Sequence, residues 1–213
     1  MAYFDGDEIL DKAFPLNIRS MYTAAVNIAY TLVDATFNNN GYLNWIVGYD
    51  DIANLRNVAV EFELKQLLTK SNIKLKYDVV KNKRNNCNHI EITSGNCIMT
   101  VSHLHDRYAV PREAKFRNSL SLNNQIKFWG NIPDIDVDEQ YYAILTHGNK
   151  RTLIGQKVEF ICLGLPSPEV NKWETIHDIT RQSTLSVVPE EKITEELPIE
   201  FIEYIKEREA TQK

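Results

Sequence analysis

Apolar positions recur at three- and four-residue steps from Leu16 to Phe37. Ile18, Met21, Tyr22, Ala25, Val26, Ile28, Ala29, Leu32 and Val33 fall on the faces of one long helix. Asn38-Asn39-Asn40-Gly41 stops it, since Gly and Asn accept the left-handed cap. The Tyr42–Gly48 run reads as a strand or a buried turn, and Asp50-Asp51 then offers an N-cap for a segment reaching Lys70. That segment has two patterns. Val58, Val60, Phe62 and Leu64 alternate as in a strand, whereas Leu64, Leu67 and Leu68 share a helical face. Good helix formers and the absence of Gly and Pro favour a helix over 52–70.

Beyond Lys70 the period shortens to two. Ile73–Val80 alternates as a strand, and a basic, Asn-rich loop runs from Lys81 to Asn88. Two β-rich runs, Cys87–Thr93 and Asn96–His103, flank Ser94-Gly95, which predicts a central hairpin. Ile90 and Ile92 then face one side and pack with Ile98 or Met99 against the first helix. Pro111, Glu113 and the cations that follow predict a helix starting at Pro111 and ending near Leu122. Residues 131–139 form an acidic linker, and Tyr141–His147 and Val158–Leu165 read as the late strands. The expected class is α+β, with N-terminal helices packed on a mixed or antiparallel sheet. Residues 1–15 are expected as a loosely held arm, 16–180 as one domain, and 181–213 as an acidic tail with a short terminal helix.

At 213 residues, 43% hydrophobic and 25% charged, the chain can bury a sizeable core. No apolar run approaches the ~18 residues of a membrane span, and Met1–Glu8 lacks a signal peptide's basic start and apolar core. Cys87, Cys97 and Cys162 have no CxxC spacing, which fits reduced, buried thiols in a cytoplasmic protein. The net charge of −5 hides an asymmetry: residues 70–127 carry eleven Lys and Arg against four Asp and Glu. Lys81, Lys83 and Arg84 lie in one loop, and Arg112, Lys115 and Arg117 open the helix after the hairpin. Together they are the candidate contact surface for an acidic protein partner or, second, for nucleic acid.

A helix, three strands, a helix and another strand is also the outline of the restriction-nuclease-like core. Its D…(D/E)xK site converges carboxylates on Mg²⁺ with a Lys beside the attacking water. Asp78 and Glu91 are the candidate acids, but Thr93 stands where the Lys belongs, and the literal ExK, Glu63-Leu64-Lys65, precedes the sheet. His103 and His105, two apart, would share a strand face near His89, yet no HxxxH, HExxH or CxxC pattern supports a metal site. Neither a P-loop nor GxGxxG nor GxSxG is present. No catalytic residue, metal or cofactor is therefore assigned, with Mg²⁺, Asp78 and Glu91 belonging to the nuclease alternative alone.

The stretch Gln125-Ile126-Lys127-Phe128-Trp129 resembles the short peptide that docks on bacterial sliding clamps. In such peptides Gln fixes register while the aliphatic and aromatic residues, here Ile126, Phe128 and Trp129, anchor in a pocket. The strings Asn86–Ile92, Val110–Leu120 and Tyr141–Gly148 are similar to a family of small uncharacterised proteins of bacteria and their phages. That resemblance implies a bacterial or mobile-element cytosol and no mechanism. The expected function is an intracellular binding or regulatory module acting through the basic 70–127 surface. A nucleic-acid-processing enzyme, or its degenerate relative, is the alternative.

Overall fold

The computed structural model describes residues 5–70, 75–82, 87–125, 140–151 and 153–182. Its elements are α1 (Gly6–Ala13), α2 (Leu16–Asn39), a 3-10 turn (Gly48–Asp51), α3 (Ile52–Lys70), β1 (Lys76–Lys81), β2 (Asn88–Ser94), β3 (Cys97–Leu104), α4 (Lys115–Gln125), β4 (Tyr141–Gly148), β5 (Phe160–Pro166) and β6 (Trp173–Asp178). The six strands form one sheet in the order β1-β2-β3-β4-β5-β6. Every neighbouring pair is antiparallel except β3 and β4, which run parallel from Cys97↔Tyr141 to Leu104↔Gly148. A parallel neighbour cannot be reached by a tight turn, so the chain crosses over through α4. The class is α+β, and no helix among the described residues is long and apolar enough to cross a membrane.

Strand periodicity divides the sheet into two faces. Ile90, Ile92, Met99, Val101, Ala143, Leu145, Ile161 and Leu163 are buried in one core with side chains of α1, α2 and α3. Met99 packs there beside the two isoleucines; Ile98 belongs to the other face and is half-buried. On that face Phe116, Arg117 and Asn124 of α4 meet His89, Ser102 and Tyr142. Helix α3 lies against both α2 and β3. Ile52, Arg56, Ala59, Val60, Glu61, Phe62, Leu64 and Leu68 are accordingly buried on several sides of it. That two-sided burial explains why its sequence reads equally as strand and helix.

Several expectations are corrected. Residues 5–15 are no loose arm. Asp5 accepts from the Asp7 and Glu8 amides to start α1, and Leu10, Ala13 and Phe14 are buried. Tyr42–Gly48 is neither strand nor buried turn: it is a turn that leaves Tyr42, Trp45, Ile46 and Val47 exposed. Helix α4 begins at Lys115, not Pro111. The Arg117 guanidinium donates to the Arg112 carbonyl at 2.9 Å, which places a side chain on an acceptor that an earlier helix start would use. Strand β6 was not expected at all. Cys87 is exposed, whereas Cys97 and Cys162 are buried, and all three are free thiols. The 181–213 tail falls outside the described residues save its first two positions.

Candidate functional site

Two polar assemblies interrupt the apolar sheet. The first lies between the sheet and α4. His89 and Glu91, two apart on β2, point to the same side, and His89 Nε2 lies 2.9 Å from the Glu91 carboxylate. Phe116 of α4 stacks on the His89 ring, with centroids 4.0 Å apart at 25°. The next residue, Arg117, lays its guanidinium over the Phe116 ring and donates to the Ser102 hydroxyl at 3.3 Å. Burial works against the charged guanidinium and lowers its pKa, while neighbouring Tyr142 works the other way. Thr100 and Tyr142 share a buried hydroxyl pair at 2.7 Å, and burial pushes the Tyr142 phenol up to about 12. Asn124 accepts from the Tyr142 amide and donates to the Tyr142 and Pro166 carbonyls, fixing the far end of α4.

The sequence-nominated acids fall beside this assembly. Asp78 and Glu91 are direct cross-strand partners, so their side chains stand on one face of β1 and β2. Asp78 is exposed, and His89 already engages Glu91. Among the described residues no group of three or more His, Cys, Asp or Glu is placed to hold a metal ion. The element order α3-β1-β2-β3-α4-β4 is present, with Asp78 and Glu91 side by side on its first two strands. Glu63 of the ExK string sits on α3, where burial raises its carboxyl to about 7 despite Lys70. It belongs to a helix and not to a strand of the sheet.

The basic candidates divide. Lys81 ends β1, and Arg112 and Lys115 are exposed at the start of α4. Phe116 on His89 seats that start over the Lys81–Asn88 end of the β1–β2 hairpin. Arg117 is a correction: its guanidinium turns inward to Ser102 and the Arg112 carbonyl and serves as a brace. Lys83 and Arg84 lie outside the described residues. So do Ile126, Phe128 and Trp129 of the clamp-like peptide, of which only Gln125, the last residue of α4, is placed.

The second assembly was not foreseen as a unit. Parallel pairing sets His103 opposite His147, with ring centroids 5.4 Å apart, and His105 lies 5.2 Å from His103. Tyr30 of α2 places its hydroxyl 3.1 Å from His147 Nδ1, and the Arg56 guanidinium lies 4.3 Å over the Tyr30 ring. Arg56 is fully buried and donates to the Leu153 and Gln156 carbonyls and to Asn149, with Asp34 3.6 Å away. Burial holds both histidines neutral. It lowers His103 to about 4, with His105 and Arg56 acting in the same direction, and His147 well below its ordinary value, with His103 and Arg56 acting in the same direction. Arg56 thus pins the β4–β5 loop to α3, and Tyr30 stands between it and His147.

No protein-family model matches the chain, and neither a curated protein nor a solved structure matches it. Local spacing had marked His103 and His105, but His147 comes to them only through the β3–β4 pairing.

Proposed function

We propose that this protein is a cytoplasmic binding or regulatory module that docks an anionic partner on the basic surface at the start of α4. The observation that carries the reading is the stacking of Phe116 on His89 at 4.0 Å. It brings the start of α4, with Arg112 and Lys115, to the end of the sheet where β1 finishes at Lys81, whose side chain register directs to the opposite face, so the two stretches of cation flank that edge from its two faces. Arg117 supports the same surface from below by bracing the helix start. The chemistry shared by its ligands is a row of anionic oxygens, from carboxylates of an acidic protein segment or from phosphates. Free thiols at three cysteines fit a reducing setting, and the resembled family fits a bacterial or mobile-element one.

The test is the triple charge reversal of Lys81, Arg112 and Lys115 to Glu, measured by anisotropy against a labelled poly-glutamate peptide and a labelled duplex at low salt. Affinity for the anion that the native protein binds should fall by about tenfold or more. Unchanged affinity, with the variant's melting curve intact, overturns the reading. The nuclease-like alternative rests on one observation, the helix–three-strand–helix–strand order with β3 and β4 parallel. Mg²⁺-dependent plasmid cleavage that disappears in Asp78→Asn and Glu91→Gln would favour it instead.

A further inference from the structure

The docking surface just proposed occupies part of one end of the sheet, and the rest of that end is also basic. Strand directions fix which residues share it. The end of β1, the start of β2, the ends of β3 and β4, the start of β5 and the end of β6 all emerge together, at Lys81, Asn88, Leu104, Gly148, Phe160 and Asp178. On the β4–β6 side this end carries Lys150, Arg151 and Lys157 in one loop, with Arg107 and Arg181 beside it. These five side chains line two neighbouring grooves of about 550 and 540 Å³ that share Glu159.

Two acids in the grooves are already engaged. Arg107 pairs with Asp178 at 2.8 Å, and Glu159 accepts the Lys150 amide at 2.9 Å. The loop is not left to chance either: Arg56, fully buried, holds the Leu153 and Gln156 carbonyls from within. Asn149, Gln156, Thr180 and Gln182 complete the lining, so among the described residues no aromatic or aliphatic side chain contributes to it. A protein partner needs apolar anchors at the centre of its contact, and a base needs a ring to stack on; these grooves supply neither. They supply cations and amides, which suit phosphate oxygens.

We propose that the two basic groups form one rim across this end of the sheet and that its ligand is the phosphate backbone of duplex nucleic acid, bound without regard to sequence. At the usual ~4.8 Å between strands, the rim from β1 to β6 spans roughly 24 Å. A duplex carries one charge per ~1.7 Å of axis, so that span faces a long row of phosphates and not a single small anion. The inference rests on the proposed function, because it extends the same surface and names its partner class.

The experiment compares four full-length proteins: the native chain, the reversal of Lys81, Arg112 and Lys115 to Glu, the reversal of Lys150, Arg151 and Lys157 to Glu, and all six together. Each is titrated by anisotropy against a labelled duplex of about 20 base pairs and against poly-glutamate of similar length, between about 50 and 200 mM salt. Native protein should bind the duplex in preference to poly-glutamate and lose affinity by roughly a hundredfold or more over that range. Each triple reversal should cost about tenfold and flatten the salt slope, and the sixfold reversal should abolish binding. Melting curves identify any variant that has lost its fold; for the loop, Lys150→Gln with Lys157→Gln then replaces the reversal and should still weaken binding. Loss confined to the α4-side reversal overturns the single rim and leaves the proposed function standing. Preference for poly-glutamate overturns the nucleic-acid partner. Failure of the native protein to bind either probe overturns both.

Discussion

On the side of the sheet facing α1, α2 and α3, burial is achieved with aliphatic side chains: Ile90, Ile92, Met99, Val101, Leu145 and Leu163. On the side facing α4, the same strands present His89, Glu91, Thr100, Ser102, Tyr142 and Thr146, nearly all buried, and each hydrogen-bonded. The first face is held by area removed from water, which is non-directional and tolerant of small shifts. The second depends on partners at set positions, since an unmatched buried polar group costs more than a matched one contributes. The difference teaches how α4 is held in place. A helix seated by stacking and hydrogen bonds has a fixed place, and α4 starts with exposed Lys115, three residues after exposed Arg112. The apolar face makes the domain stable; the polar face determines where the proposed contact surface lies.

At one end of the helix-side face stand His103 and His147, and they give the largest expected effect. Both rings are held neutral by burial, so the folded protein binds fewer protons there than the unfolded chain. Stability is complete above the unfolded value of 6.5 and is lost as pH falls toward 4, where His103 titrates in the folded state. At about 1.4 kcal/mol per unit, His103 alone removes on the order of 3 kcal/mol, reduced by the part of its ring that solvent reaches. Urea midpoints at pH 7, 5.5 and 4.5 check it, and His103→Gln should flatten the slope. An equal slope in that variant would show that other groups, His147 among them, control acid sensitivity.

Removal of bulk from the aliphatic side is next. Ile92 is fully buried in the core, and Ile92→Ala should cost about 2–4 kcal/mol in urea melts. A loss below about 0.5 kcal/mol would mean that the core does not close over β2. The matching change beneath α4 is Asn124→Ala, which strips the Tyr142 amide and two carbonyls of their partners. About 1–3 kcal/mol is expected, together with weaker amide protection of α4 in hydrogen exchange. If α4 keeps its protection, its seat does not depend on the polar face.

Legibility in the sequence follows the same division. Ile90 and Ile92 announced their face because a period of two needs only a few residues to show, and Ser94-Gly95 announced the hairpin by turn chemistry. Strand β6 stayed hidden because its side chains are half-buried on both faces, leaving no alternation to read. Helix α1 stayed hidden because eight residues with two buried side chains other than glycine give little periodicity. The polar sites were legible only as parts. His103 and His105 stood out by spacing, but His147 and Arg56 join them through contacts between distant elements. Arg117 looked like surface because five donors on a long stem usually are; its inward turn depends on where α4 comes to rest.

The smallest expected effect sharpens the comparison most. Thr100 and Tyr142 sit on adjacent strands beneath α4 with their hydroxyls 2.7 Å apart, both fully buried. Thr100→Val keeps the volume but leaves the phenol without its strand partner, and Tyr142→Phe does the converse; each should cost about 1 kcal/mol. The double variant removes both hydroxyls at once, so neither is left unmatched, and its total should stay near that of either single change. A favourable coupling of about 1 kcal/mol in this cycle identifies a matched pair. Strict additivity would show that each hydroxyl is served by something else, such as Arg117, whose guanidinium neighbours the phenol. Repeating the cycle on an Arg117→Met background separates these cases. Coupling that survives belongs to the hydroxyl pair, and coupling that vanishes makes Arg117 the group that organises this face and, through it, the start of α4.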